Sequence, residues 1–308
     1  MKHILAFLLL WAINIHAQPS KPITFVVTHS PGGTTDLLAR EVIANLDIKW
    51  SQRIMVEFKT GAGGNLGAEK VVKSKPDGNT ILVTGGSLFV SNPVLYEMNF
   101  EPLLDLEPIA IMAQVPLVLV VPASSDIYTI DDLLAYSKQF PKKVNHGSTG
   151  IGSTAHMASL LFAQHTGIMS THIPYKGSEA VVDLISGNTQ WMFATIPGVI
   201  QHINSKKLRA IAVTSKNRFA ILPNVPTLQE SKVNLVITTW FGLFAPIGTD
   251  PSYISEFNSV INDSVKKSTD KFLTLGATPV TMTSVDFKKY VKKEYDMWAP
   301  IIKKVKQE

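Results

Sequence analysis

Short β-branched runs alternate along this chain with segments whose apolar side chains return every three or four positions. "ITFVV" at 23–27 is followed by "TDLLAREVIANL", where Leu38, Val42, Ile43 and Leu46 share one helical face suited to packing on a sheet. "RIMVEF", "NLGAEKVVKS" and "NTILVTG" continue the alternation. It restarts after residue 123 with "TIDDLLAYSKQF", "KVNHGS", "STAHMASLLFAQHTG", "THIPY", "SEAVVDLIS", "TQWMFAT", "PGVIQHINS" and "LRAIAVT". This pattern predicts an α/β fold with parallel strands. Two longer apolar passages interrupt it, "LEPIAIMAQVPLVLVVP", broken by prolines, and "ITTWFGLFAP", before the terminal helices. Strand-like stretches at 115–122 and 237–246 separate the two alternating blocks, which predicts two lobes and a chain that crosses the hinge twice. Residues 18–120 with 243–308 are expected to form lobe 1, and 121–242 lobe 2. A single doubly wound domain is the competing architecture; the restart favours two.

Composition narrows the class. With 45% hydrophobic and 17% charged residues, the 308-residue chain can build one large or two medium cores. Its formal charge of +5 is spread out, and the one dense basic stretch is the terminal "IIKKVKQE". Nucleic-acid binding, which needs clustered cations with stacking aromatics, is not expected. Residues 1–17, "MKHILAFLLLWAINIHA", carry one lysine, an apolar stretch and a small residue before "QPSKP". That is the pattern of a secretory signal peptide, too short for the ~20 residues of a bilayer span, with cleavage expected after Ala17. There is no cysteine. An exported chain without cysteine has neither disulfides nor a lipid-modified N-terminal cysteine, so a soluble, unanchored product held by packing is expected.

Chemistry concentrates where strands give way to helices. Four such junctions are rich in Gly, Ser or Thr: "SPGGTTD" at 30–36, "TGAGGNLG" at 60–67, "GSTGIGSTAH" at 147–156 and "YKGSEA" at 175–180. A fifth strand ends in "TGGSLFVSNP". Glycine lets backbone approach a ligand, and unpaired first-turn amides with the helix dipole attract negative charge. Each junction alone is an ordinary helix start; their repetition points to an anion. "GAGGNLG" places Leu66 where a dinucleotide loop has its third glycine, and no Walker lysine follows any junction, so no cofactor is expected. There is no G-x-S-x-G elbow, and Ser264 and Lys267 form S-x-x-K only in a polar helical segment. The histidines at 29, 146, 156, 165, 172 and 202 have no metal-binding spacing. His156 reads as a capping or packed residue, and His29, beside the glycine turn, as a ligand contact. Asp36 has two readings: a brace for its loop, favoured by the helix dipole, or a receiver for the ammonium of an amino acid. The residues thus describe an exported, two-lobed, non-enzymatic binder of a small anion; the rival is an exported hydrolase using Ser153 or Ser87.

Eight motifs, in order, carry a resemblance over essentially the whole mature chain: "PGGTTDLLAR", "GAGGNLGAEKV", "KPDGNTILV", "PLVLVVPASS", "GSTGIGSTAHMA", "HIPYKGSEAVVDLISG", "KLRAIAVTSKNRFAILPNVPTLQE" and "WFGLFAPIGT". They resemble the Bug family, the solute-binding receptors of tripartite tricarboxylate transporters. The resemblance implies a type II two-lobed periplasmic binding-protein fold in a Gram-negative periplasm. It also implies a small organic carboxylate or carboxylated amino acid as ligand, permease subunits as membrane partners, and a monomer. A sensor for a membrane kinase is the alternative use of the same fold. Carried over residue by residue, it places ligand contacts at Pro31, Gly32, Gly33, Thr34, Thr35 and Asp36, at Gly86 and Ser87, and at Gly150, Gly152, Ser153 and Thr154. Tyr175, Lys176 and Gly177 are implied as the opposing wall. Two departures stand out: Thr60 where the family has proline, and Gln190 where it has an acid. Gln190, Ala194 and Thr195 are expected to alter the polarity of the cleft.

Overall fold

The computed structural model describes residues 22–46, 53–141 and 143–307, so the expected signal peptide lies outside the described residues. In chain order the elements are β1 (Ile23–Val27), α1 (Thr34–Ala44), β2 (Ile54–Phe58), a 3-10 turn (Ala62–Gly64), α2 (Asn65–Val72), β3 (Thr80–Gly85), α3 (Ser87–Val90), α4 (Asn92–Leu95), α5 (Pro102–Asp105) and the long β4 (Leu106–Pro122). The second alternating block is α6 (Ile130–Gln139), β5 (Asn145–Ser148), α7 (Thr154–Thr166), β6 (Thr171–Pro174), α8 (Glu179–Ile185), β7 (Trp191–Thr195), α9 (Ile196–Asn204) and β8 (Leu208–Val213). The chain then returns through β9 (Thr238–Pro246), α10 (Pro251–Lys267), α11 (Thr269–Leu275), β10 (Thr278–Pro279) and α12 (Ser284–Gln307). Among the described residues, no helix is long and apolar enough to cross a membrane.

The near-continuous apolar runs of β1 and β3 reflect burial on both faces. Phe25, Val27, Ile81 and Val83 enter one core with Leu38 and Val42 of α1. Val26 and Leu82 enter another, with Ala68 and Val71 of α2. Ile43 and Leu46 pack at the edge of the first core, which completes the face expected for α1.

Strand order repeats between the lobes. The first sheet runs β2-β1-β3-β9-β4 and the second β6-β5-β7-β4-β8. β1 is parallel to β2 and β3, as β5 is to β6 and β7. Next comes a strand from the other lobe, antiparallel: β9 against β3 and β4 against β7. The sheets are therefore mixed rather than parallel throughout, because a strand arriving from across the hinge enters at the end where the neighbouring strands leave. β4 is shared, with its residues up to Pro116 on β9 and those from Leu117 on β7 and β8. Its prolines do not break it. Pro108 sits at a shift in register and Pro116 is the last pair before the handover, both places where a missing ladder donor is tolerated. Residues 117–120 thus pair in the second sheet and 238–242 in the first, a few positions from the boundaries expected at 120/121 and 242/243. The apolar run is continuous across both junctions and carries no mark of the change.

One buried threonine joins the two crossings. Thr214 donates its N–H to Leu117 O (2.9 Å) and accepts from Ile237 N at its carbonyl (3.0 Å). Its hydroxyl accepts from Leu117 N (2.8 Å) and donates to Ile237 O (2.6 Å). Thr214→Val keeps the shape and leaves buried polar groups without partners. The expected loss is about 1–3 kcal/mol, read as a lower urea midpoint with an unchanged m-value.

Candidate functional site

The turn between β1 and α1 is built from within. Gly33 N donates to Ser30 O (3.1 Å), and Gly32 N donates to Asp36 Oδ2 (2.8 Å). The other Asp36 oxygen accepts from Arg40 Nε (2.7 Å). Both oxygens of this buried carboxylate are therefore engaged within α1 and its turn. Gly33, in extended conformation, is the N-cap of α1 and no side chain caps that helix. An α-helix leaves its first N–H groups without intrahelical partners, so those of Thr34 and Thr35 are available to a ligand.

The junction of β5 and α7 repeats this in the other lobe. Ser153 N donates to Gly150 O (3.1 Å), and Ser153 Oγ caps α7 by accepting from His156 N (3.2 Å). The cap engages the third-position amide, leaving those of Thr154 and Ala155. A cavity of about 110 Å³ lies between the two helix starts, with Thr34 and Thr35 on one wall and Ser153, Thr154 and Ala155 on the other. Ser87, Ser178 and Gly198, at or near the starts of α3, α8 and α9, also line it. Leu117, Val181, Met192, Val199 and Phe241 give it an apolar side. No Lys, Arg, Asp or Glu is among the described residues lining it. Its one titratable side chain is His29, which burial pushes down to about 4; the ring is uncharged at neutral pH. His29 Nδ1 lies 2.9 Å from Thr28 Oγ1 and 3.1 Å from Thr35 Oγ1, and Thr28 Oγ1 is 2.9 Å from Thr84 Oγ1. An anion placed here would meet backbone dipoles rather than a cationic side chain, a helix start contributing ~0.3–1 kcal/mol when exposed and more when desolvated.

Of the residues expected at the site, Gly32, Gly33, Thr34, Thr35, Ser87, Ser153, Thr154 and Gly177 line the cavity. Pro31 is exposed on the outside of the turn. Gly86 packs against the Trp240 indole and borders a small neighbouring chamber. Gly150 sits behind the cavity, its N–H donating to Ser148 Oγ (3.2 Å). Gly152 faces Asn92 and Tyr96 of lobe 1. Tyr175 donates its hydroxyl to Asp183, and Lys176 contributes only its carbonyl, accepting from Ser30 Oγ (3.3 Å). Ala194 and Thr195 line the cavity as expected, whereas Gln190 ties β5 to β7 by accepting from Asn145 N (2.8 Å). The apolar wall was not singled out in the sequence, because Leu117, Met192 and Phe241 are indistinguishable there from core residues of their strands.

The lobes touch around this cavity. Thr34 Oγ1 and Thr195 Oγ1 are 2.6 Å apart, Thr154 Oγ1 donates to Thr239 Oγ1 (3.1 Å), and Tyr96 OH donates to Ile151 O (2.8 Å). The two helix starts thus line one cavity between lobes that are hydrogen-bonded to each other.

The sequence profile of the tripartite tricarboxylate transporter family receptor matches residues 38–307. The chain belongs to that family. It is 35% identical to protein BugT of Bordetella pertussis over 94% of this chain and 91% of that one. It is 36% identical to a protein encoded in the tcbD–tcbE intergenic region of Pseudomonas sp., covering 82% and 76%. Among solved structures, it resembles R. palustris Rpa4515 with adipate, with a TM-score of 0.89, 30% identity and 93% and 97% of the two chains covered. The periplasmic binding protein BugD gives 0.88 at 29% identity, covering 93% and 98%. The two-lobed periplasmic binding-protein fold of these receptors is the fold of this chain.

In this tripartite tricarboxylate transporter receptor, closure brings Gly177 against Ser30. A Cβ on Gly177 would fall 2.1 Å from Ser30 Oγ, and the φ of +152° disfavours a side chain there as well. The clash exists only where the lobes meet. Gly177→Ala is expected to weaken binding of any carboxylate that stabilises the wild type by about tenfold or more, at ~1.4 kcal/mol per decade. The strained φ should also lower the melting temperature of the free protein, so titration calorimetry well below the melt reads the loss of affinity and a thermal melt reads the loss of stability.

Proposed function

We propose that this protein is a periplasmic receptor that captures a small organic carboxylate between its lobes and delivers it to the membrane subunits of a tripartite tricarboxylate-type transporter. The observation that carries this reading is the pair of helix starts, α1 and α7, whose first residues line one cavity in which no Lys, Arg, Asp or Glu stands among the described residues. Backbone N–H groups at helix N-termini suit a carboxylate, and hydrogen bonds to a charged acceptor are stronger than neutral ones. The adipate in the structurally similar R. palustris protein supports the ligand class. An ammonium group has no counter-ion here, since Asp36 is engaged by Gly32 and Arg40; the reading therefore favours carboxylates without a cationic group over amino acids. Binding rather than hydrolysis is supported by Ser153, whose Oγ is the cap of α7. Ligand would enter an open form, meet the amides of one lobe, and shift the population toward the closed form in which the other lobe completes the shell.

Thr34 provides the test. It is the first residue of α1, where proline is well tolerated, and Gly33 before it is already extended, as a residue preceding proline must be. Thr34→Pro removes the amide donor, and Thr34→Val removes only the hydroxyl. In a thermal-shift and calorimetric screen of mono-, di- and tricarboxylates, Thr34→Pro should bind about 10- to 100-fold more weakly than Thr34→Val, the cost of ~1.5–3 kcal/mol for a hydrogen bond to a charged group. Equal affinities in the two variants, or turnover of the carboxylate by the wild type, would overturn the reading.

A further inference from the structure

Three histidines that take no part in the cavity form a continuous stack behind its second-lobe wall. The rings of His156 on α7 and His172 on β6 lie 4.1 Å apart at 13°. His172 and His146 on β5 follow at 5.0 Å and 24°, and His146 rests on Trp191 of β7 at 4.6 Å and 19°. The nitrogens hold the loop that presents α7. Gly152 N donates to His156 Nδ1 (3.2 Å), and His172 Nε2 lies 2.7 Å from Ser148 Oγ. That hydroxyl also accepts from Gly150 N (3.2 Å). His146 Nδ1 is 2.9 Å from Ser170 Oγ, while its Nε2 is buried without a partner.

One of these contacts requires an unprotonated nitrogen, that of His156 Nδ1 with Gly152 N–H, whereas the two serine hydroxyls can accept from a ring in either state. A proton on His156 Nδ1 would oppose the Gly152 N–H it now receives. A proton on His146 would need an acceptor at each nitrogen, and one has none. A cation anywhere in the stack would face a second ring prone to take the same proton. Around the stack, β5, β6 and α7 contribute the three histidines themselves. Tyr175, bonded to Asp183 of α8, flanks Gly147, and Tyr96 reaches Ile151 O from lobe 1. Among the described residues, no carboxylate forms an ion pair with any of the three rings.

We propose that His146, His156 and His172 are positioning residues for the second anion-binding turn: stacked and uncharged, they hold Gly150–Ser153 so that α7 aims its first amides at the cavity, and a proton on the stack releases the turn. Burial, reinforced by the neighbouring rings, pushes His146 down to about 3; burial and His172 push His156 down to about 4, and burial lowers His172. A released turn would regain ordinary values near 6.5. The latched state is thus fully favoured above pH 6.5, and its advantage is lost progressively as pH falls from 6.5 toward 4. Loss of anion capture in acid rests on the carboxylate reading; the latch itself is measured without ligand.

Hydrogen exchange of the Gly152 amide in the ligand-free protein, corrected for the intrinsic pH dependence of exchange, reports opening of the turn. Its protection factor should fall by about tenfold or more between pH 7 and pH 5, as linkage to one histidine alone requires, while amides of β1 keep theirs. His156→Gln retains an acceptor for Gly152 but cannot take the proton, and should flatten the profile in part, since His146 and His172 still titrate. His146→Phe, which keeps the stack and removes the unpaired nitrogen, should flatten it in part and provides a second variant if the first folds poorly. A wild-type profile that does not change with pH, or one that is the same in His156→Gln, would overturn the proposal, whatever carboxylate the cavity is found to bind.

Discussion

A carboxylate that leaves water must receive hydrogen bonds as good as those it gives up, and this cavity offers no cation to supply them. Only the ends of helices remain. One helix start presents a few amides from one direction, so full replacement of the hydration shell needs a second start from the opposite side. The rest of the architecture follows from that requirement. Two sheets of the same strand order each place a glycine-rich junction at the ends of their parallel strands, and a shared β4 with a returning chain at Ile237 allows the junctions to meet.

On the proposed reading, closure and capture are one event. The contacts between the lobes, Thr34 with Thr195 and Thr154 with Thr239, involve the first residues of α1 and α7, which also line the cavity. Asp36 and Arg40 hold one turn from behind, and the stacked histidines hold the other. The supports differ in kind. One is a carboxylate bonded to a backbone amide and a guanidinium, the other a stack of imidazoles. Thr214 is bonded to both crossing segments.

Much of this was legible in the sequence, for physical reasons that can be named. The burial of β1 and β3 on two faces shows as unbroken β-branched runs, and the helix starts show as Gly, Ser and Thr clusters, because both leave local signatures. The bracing role of Asp36 was favoured by its place in the first turn of α1. What stayed hidden is non-local. "LEPIAIMAQVPLVLVVP" gives no sign that Pro116 ends one sheet and Leu117 begins another, since both halves are equally apolar. Leu117 and Phe241 read as core and turn out to line the cavity. Histidines at 146, 156 and 172 have no common spacing, and only the parallel pairing of β5 with β6, which sets His146 opposite His172, brings them together. Gly33 illustrates the limit within a local motif: it lines the cavity, but its amide closes the turn on Ser30.

The central claim is that backbone amides from both lobes, rather than charged side chains, hold the carboxylate. Proton–nitrogen correlation spectra of the labelled protein, recorded while a stabilising carboxylate is titrated, address it directly. The account predicts large downfield proton shifts at Thr34, Thr35, Thr154 and Ala155, in both lobes together and with one binding constant. Shifts confined to one lobe, or an unchanged set of these four amides alongside perturbed lysine or arginine side-chain signals, would contradict it.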